Sequence, residues 1–353
     1  MDPSHGSDFG PVNAPLLELK RQQILAFRRT AGSLDQRLPP GPDSLRRAAW
    51  AGLQDSMPRA ALLSIHARVE GAGPSTWEDP PLIQLWGPRH HVYTVAARDL
   101  ALFTIGIQPD DEKGRRRAEE RAASLRVGLG GKRMEYAEVG RSLGVHPNSL
   151  IYAATSGTVL IRWDGARRPT IWNVPPPEVD RRDARLELAR RYLHVYGPAT
   201  VAAFGWWSGL GARPASATFE ALAAELTPVR TPIGEAWILA IDEPAFRAEP
   251  APPALARLLP SGDAFLLFQG PDRALLVPDA ARRQALWTPR VWPGGVLVEG
   301  ELAGTWRRAG ANLTVQPWVR LSRAGRAAIE GEAADLPLPG VRGLISVRWL
   351  DRP

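Results

Sequence analysis

Apolar positions recur with a helical period through most of the first 250 residues, then give way to short alternating runs. Residues 1–15, rich in Gly, Pro and Ser, show neither period and are expected to be disordered. Leu16, Leu19, Ile24 and Phe27 then share one face of a helix in LLELKRQQILAFRR, broken by RLPPGPDS. Ser44 reads as the N-cap of LRRAAWAGL, and Pro58 opens RAALLSIHARV, which Gly71 ends. WEDPPLIQLW leads into a strand-like HHVYTV, and AARDLALFTI closes this stretch as a helix.

Two further stretches share one plan. RRRAEERAASLRVGL is helical, and AEVGRSLGVHPNSL reads as helix, turn at Gly144, second helix. TVLIRW and PTIWNV alternate as strands around the turn Asp164-Gly165-Ala166-Arg167-Arg168. ARLELARRYL begins the next copy, in which Gly209 takes the place of Gly144 and LTPVRTPIGEAWILA forms the hairpin. Helix-turn-helix followed by a hairpin is the winged-helix order, and its recurrence predicts tandem modules. PAFRAEPAPPALA is a Pro/Ala-rich linker. After Leu258 the runs AFLLFQG, ALLVP, GVLVEGELAGTWRR and LTVQPWVRL read as strands, with one helix near SRAGRAAIEGEAA. The expected fold class is α+β: three tandem winged-helix units over 16–112, 113–180 and 181–248, then a small β-rich, barrel-like domain over 249–353.

Charge adds a direction to this plan. The net charge is +7, and 11 basic against five acidic residues lie between Arg115 and Trp172. A basic stretch on a winged helix points to duplex DNA. Only Lys20, Lys113 and Lys132 are lysines, so the arginine excess by itself also fits a GC-rich coding sequence. Arg162, Arg167 and Arg168, with Arg133 and Asn148, are the candidates for phosphate contact, against the plain alternative of a solvated charged face. Trp206 and Trp207 read as core beneath the third helix-turn-helix, and Trp287, Trp292, Trp306 and Trp318 as core of the β-rich domain.

The absence of cysteine excludes disulfides and thiolate metal sites. No His or carboxylate set has ligand spacing, and GLGGK lacks the spacing of a phosphate loop, so neither a metal nor a nucleotide cofactor is expected. The N-terminus lacks a signal-peptide pattern and no apolar run is long enough to span a membrane. The expectation is a cytoplasmic protein, monomeric because tandem DNA-binding modules in one chain need no second copy to read two half-sites.

Several stretches, in their order along the chain, carry a family resemblance: YLHVYGPATVAAFGWWSGL, LLPSGDAFLL with Asp272 and Arg273 downstream, LVPDAARR, and GVLVEGELAGTW. Together they resemble the bacterial winged-helix DNA glycosylases of the AlkZ-like type, which remove bulky alkylated purines and unhook interstrand crosslinks. The resemblance runs from about Leu16 to about Arg323 and implies three winged helices forming a C-shaped DNA cradle, plus a C-terminal β domain. Family members carry Gln-x-Gln or Gln-x-Asp in the first unit, which falls here on AGLQDSMPRAALL. Gln54 matches the first glutamine, Ser56 stands where the second Gln or Asp belongs, and Asp55 fills the variable middle position. His91 in LWGPRHHVYTV matches a family histidine, and Asp263 and Arg273 also match family positions.

Two readings of QDSMP stand side by side. In an extended segment Gln54 and Ser56 share a face and Asp55 points away, so Gln54 and Ser56 would meet the sugar and the attacking water. Asp55 enters the chemistry only if the backbone loops. Alternatively the stretch is a junction in which Asp55 or Ser56 caps the helix near Pro58. Arg89, His90 and His91 read as one strand, with Arg89 and His91 facing phosphate or lesion, or as ordinary polar strand residues. Three functions follow: a DNA glycosylase centred on Gln54, a non-catalytic DNA-binding protein that is regulatory or damage-sensing, and, least supported, a protein–protein module.

Overall fold

The computed structural model describes residues 16–55, 57, 59–163, 168–341 and 343–350, and all structural statements concern these. The expectations for residues 1–15, Ser56, Pro58 and the turn from Asp164 to Arg167 fall outside them.

The chain opens with a short strand, β1 (Leu17–Glu18), before helix α1 (Arg21–Ala31). The helix expected from Leu16 therefore starts later, because Leu17 and Glu18 pair in parallel with a strand more than 200 residues away. Next come α2 (Pro42–Ala48), β2 (Leu53–Gln54), α3 (Ala60–Arg68), β3 (Leu82–Trp86), β4 (Val92–Ala96) and α4 (Leu100–Thr104). Pro42, not Ser44, marks the start of α2, where its fixed φ suits the first helical turn. A three-stranded sheet in the order β2-β4-β3 packs on these helices.

The next stretch runs α5 (Glu112–Leu129), β5 (Met134–Glu135), α6 (Tyr136–Ser142), a long 3-10 segment (Pro147–Ser156), β6 (Val159–Arg162) and β7 (Thr170–Asn173). Asp111 caps α5 by accepting the Gly114 N–H, and left-handed Gly130 ends it. The third stretch has α7 (Arg181–Tyr196), α8 (Val201–Ser208), α9 (Ala212–Ala221), β8 (Leu226–Thr231), β9 (Gly234–Leu239) and α10 (Glu243–Arg247). Its sheet, β1-β8-β9, includes the N-terminal strand, and the preceding stretch has β5-β7-β6. Gly144 (φ +64°) and Gly209 (φ +80°) both take the left-handed turn conformation between their helices, where a Cβ is disfavoured.

The C-terminal part holds β10 (Ala256–Leu259), α11 (Pro271–Leu276), α12 (Ala280–Leu286), β11 (Gly294–Val298), β12 (Glu301–Ala309), β13 (Asn312–Pro317), α13 (Arg323–Ala334) and β14 (Ser346–Trp349). The strands form a sheet ordered β10-β11-β12-β13-β14. The expected barrel-like closure is thus corrected: among the described residues β10 and β14 are open edges, and α13 packs on the sheet instead. Two expected strands are also replaced. AFLLFQG contains a 3-10 turn capped by Asp263, and Pro271 starts a helix where ALLVP looked extended. A short apolar run bounded by Gly and Pro does not by itself separate strand from helix.

Helix α7 is the hub. Its Leu188, Tyr192 and Tyr196 meet Tyr93 and Phe103 from the first stretch, Phe204 and Trp207 from the third, and Phe265 and Phe268 from the C-terminal part, all in one core. Each such side chain contributes roughly 1.5–3 kcal/mol of apolar burial. Trp306 packs under the C-terminal sheet as expected, whereas Trp287, Trp292 and Trp318 pack on the α7 core. Buried ion pairs cross the same boundaries: Arg191 with Asp99 at 2.6 Å, and Arg28 with Asp272 at 3.0 Å. No helix among the described residues is long and apolar enough to cross a membrane.

Candidate active site

Gln54 ends β2 and pairs with Tyr93 of β4. Strand alternation turns its side chain away from that of Asp55. The Gln54 carbonyl, Oε1, accepts from Arg89 Nη2 at 3.0 Å and from the Tyr93 hydroxyl at 3.4 Å. On its other side the amide nitrogen faces Gly262, where an added Cβ would stand 3.3 Å from Nε2. Gln54 is half-buried, at the meeting of three segments of chain.

Arg89 lies in the β3–β4 turn, not on a strand as expected. Residues 88–90 form a 3-10 turn in which Arg89 and His90 both have positive φ, at 55° and 58°. The guanidinium rests 4.0 Å over the Trp206 ring of α8, and the Arg89 backbone packs against Gly209. Trp207 is core, while Trp206 is half-buried and carries Arg89. His91 follows the turn. Burial and the charge of Arg89 push its imidazole down to about 4, so it is neutral at pH 7 and offers hydrogen bonding rather than charge.

Asp55 faces inward and is buried. Its carboxylate accepts the Ala61 N–H at 3.1 Å, capping α3, and the Gln84 amide at 2.5 Å. Gln84 continues to the Trp163 N–H at 2.8 Å and the Trp163 carbonyl at 3.1 Å, beside β6. Burial lifts the Asp55 carboxyl to about 6, opposed by these hydrogen bonds and by Arg162. Its geometry is that of a cap and tether, with no approach to the Gln54 amide face.

A buried ion pair supports the Gly262 loop. Asp263 accepts from both Arg68 Nη atoms, at 2.7 and 2.8 Å, and from the Ser64 hydroxyl at 2.6 Å. Desolvation works to raise the Asp263 carboxyl, but Arg68 and the hydrogen bonds outweigh it and hold it below the ordinary range. This pair ties α3 to the loop after β10, beside Gln54.

The arginines of the second stretch divide. Arg162 is largely buried, stacked 3.8 Å over Trp77 and paired with Glu78 at 3.2 Å. Arg133 is exposed and lies 3.8 Å over Trp172, Asn148 is exposed, and Arg168 is exposed beside Glu135 at 3.0 Å. Among the described residues no three His, Cys, Asp or Glu side chains converge on a metal-sized site. Sequence reasoning missed Tyr93, Gln84 and Gly262 as neighbours of the site. The one available signal was the pairing of LQD with the VYT strand, which a pattern search along the chain does not reveal.

A model of the AlkZ-like DNA glycosylase family matches residues 47–337, a span that includes every residue just described. The chain belongs to the AlkZ-like DNA glycosylase family. The interstrand DNA cross-link repair glycosylase of Streptomyces sahachiroi is 32% identical over 165 residues, 45% of this chain. That aligned part spans 43% of the curated relative. The solved structure of Streptomyces sahachiroi DNA glycosylase AlkZ superposes with a TM-score of 0.76 and 19% identity, covering 95% of this chain and 100% of that one. At that identity the superposition establishes a shared mixed α+β fold.

Proposed function

We propose that the chain is a monofunctional DNA glycosylase that hydrolyses the N-glycosidic bond of bulky or crosslinked alkylpurines in duplex DNA. In this reading the three helix-plus-sheet stretches, over 16–112, 113–180 and 181–248, are tandem winged helices forming the DNA cradle, and 249–353 buttresses them. The protein works as a cytoplasmic monomer without metal or nucleotide cofactor. The observation that carries the proposal is Gln54: a half-buried amide held in place by Arg89 and Tyr93, with its nitrogen turned toward Gly262.

An N7-alkylated purine is already a good leaving group. The C1′–N9 bond breaks with its electron pair going to the cationic base, which departs neutral. Water bonds to C1′ and gives up a proton. The protein's task is to position the sugar and the water and to exclude competing orientations. An amide at Gln54 suits this, with Ser56 as the second polar group of the motif. Base release is measured on duplex DNA carrying N7-alkylguanine; Gln54→Ala is expected to reduce the single-turnover rate roughly 100-fold or more. Tight, salt-sensitive binding by the wild type without any release supports the alternative, a non-catalytic DNA-binding protein. One observation favours that alternative: the carboxylate in the motif, Asp55, is committed to capping α3. Failure to bind DNA even at low salt overturns both.

A further inference from the structure

We infer that Arg89 is a positioning residue, which fixes the rotation of the Gln54 amide so that Gln54 meets the substrate with its N–H donors and not with its carbonyl. This rests on the glycosylase reading above and goes beyond it by assigning what Gln54 does there.

The two ends of a glutamine amide differ only in hydrogen-bonding sense. Arginine has donors and no acceptor, so the Gln54 atom 3.0 Å from Arg89 Nη2 is the carbonyl oxygen. The Tyr93 hydroxyl adds a second donor to the same oxygen at 3.4 Å. Both lone pairs of Oε1 are then engaged, and Nε2 is left on the opposite side, facing the Gly262 loop. Flipping the amide would set N–H against N–H at Arg89.

Arg89 is built to hold this state. Its guanidinium plane lies on Trp206 from α8, 4.0 Å away, and its backbone sits in the left-handed region with Gly209 packed against it. A non-glycine residue in that region costs energy, which the surrounding contacts must offset. Two separate stretches of chain thus converge to orient one side chain. A phosphate-binding arginine stands at the surface where an anion can reach its fork, as exposed Arg133 and Arg168 do. Arg89 instead directs Nη2 inward at Gln54.

Three variants test this in the full-length protein. Arg89→Ala is expected to slow base release roughly 10- to 100-fold through a misplaced amide. Its DNA affinity and the slope of log affinity against log salt should not change. A slope reduced by about one would make Arg89 a phosphate contact and overturn the inference. Arg89→Lys keeps the charge and a donor without the planar stack, so it should recover only part of the rate and guards against misfolding of the alanine variant. Gln54→Glu supplies a stronger base but no N–H, and pairs with Arg89. It should be as slow as Gln54→Ala, and a retained rate overturns the donor role. Should the wild type release no base at all, the glycosylase reading fails by itself. Arg89 is then judged on the salt slope and on the Gln54 side-chain amide proton signals, which Arg89→Ala should move to free-amide positions. Unmoved signals would overturn the positioning role.

Discussion

Gly262 is the residue that the amide nitrogen of Gln54 faces. At φ +75° it occupies backbone space that a side chain enters at a cost of about 1–2 kcal/mol. A Cβ there would also stand 3.3 Å from Nε2 of Gln54, tighter than comfortable contact. Gly262→Ala should therefore lower the melting temperature by a few degrees and slow base release by a larger factor than that loss of stability explains. Differential scanning calorimetry beside single-turnover kinetics at a temperature well below melting separates the two effects. A stable variant with unchanged kinetics would show that the amide nitrogen needs no room on that side.

Among the elements, β2, α3 and the end of β6 are joined through Asp55 and Gln84, and the join carries a pH signature. Asp55 is raised to about 6 in the folded protein from an ordinary value near 4, so between those values the folded state holds a proton that the unfolded state has released. Its contribution makes the protein more stable as pH falls from 7 toward 4, by a total on the order of 1–3 kcal/mol. Buried His66, depressed to about 4 from 6.5, works oppositely, since the unfolded state takes up a proton first and stability is lost as pH falls through the same window. Asp55→Asn removes the first contribution alone. Its chemical-denaturation stability, compared with wild type from pH 7.5 to 4.5, should show the variant losing ground progressively at the acid end. A pH-independent difference would mean that Asp55 stays ionised in the fold. Much of this level was legible along the chain. Gly144 and Gly209 announce their turns because only glycine takes that conformation cheaply, and alternation in QDS sets Asp55 opposite Gln54 without any structure. The β3–β4 turn was not legible: GPRHHV places arginine and histidine where glycine or asparagine is usual, so the run looked like continuous strand. The surroundings of Gln54 were equally hidden, since Gly262 faces it from more than 150 residues away and Trp206 reaches its partner Arg89 from more than 100, both through tertiary packing.

For the whole molecule, the net charge of +7 overstates the surface left for DNA, because many arginines are structural. Arg28, Arg68 and Arg191 sit in buried pairs with Asp272, Asp263 and Asp99, where each charge is matched at short range. Removing either partner of such a pair strands the other, at a cost of about 3–5 kcal/mol. The arginines of the second stretch proposed for phosphate contact separate by their surroundings. Arg133 and Arg168 are exposed, and the Arg168–Glu135 contact is a surface pair worth about 0–1 kcal/mol, easily exchanged for a phosphate. Arg162 lies between Trp77 and Glu78, joining β6 to the first stretch. Arg133→Ala and Arg168→Ala should each weaken duplex binding at low salt and reduce the salt slope by about one, with melting temperature unchanged. Arg162→Ala should leave the slope alone and lower stability by about 1 kcal/mol through loss of the stacked contact. The reverse pattern, in which Arg162 sets the slope and Arg168 does not, would place the DNA on the Trp77 side of the sheet and move the grip away from Arg168.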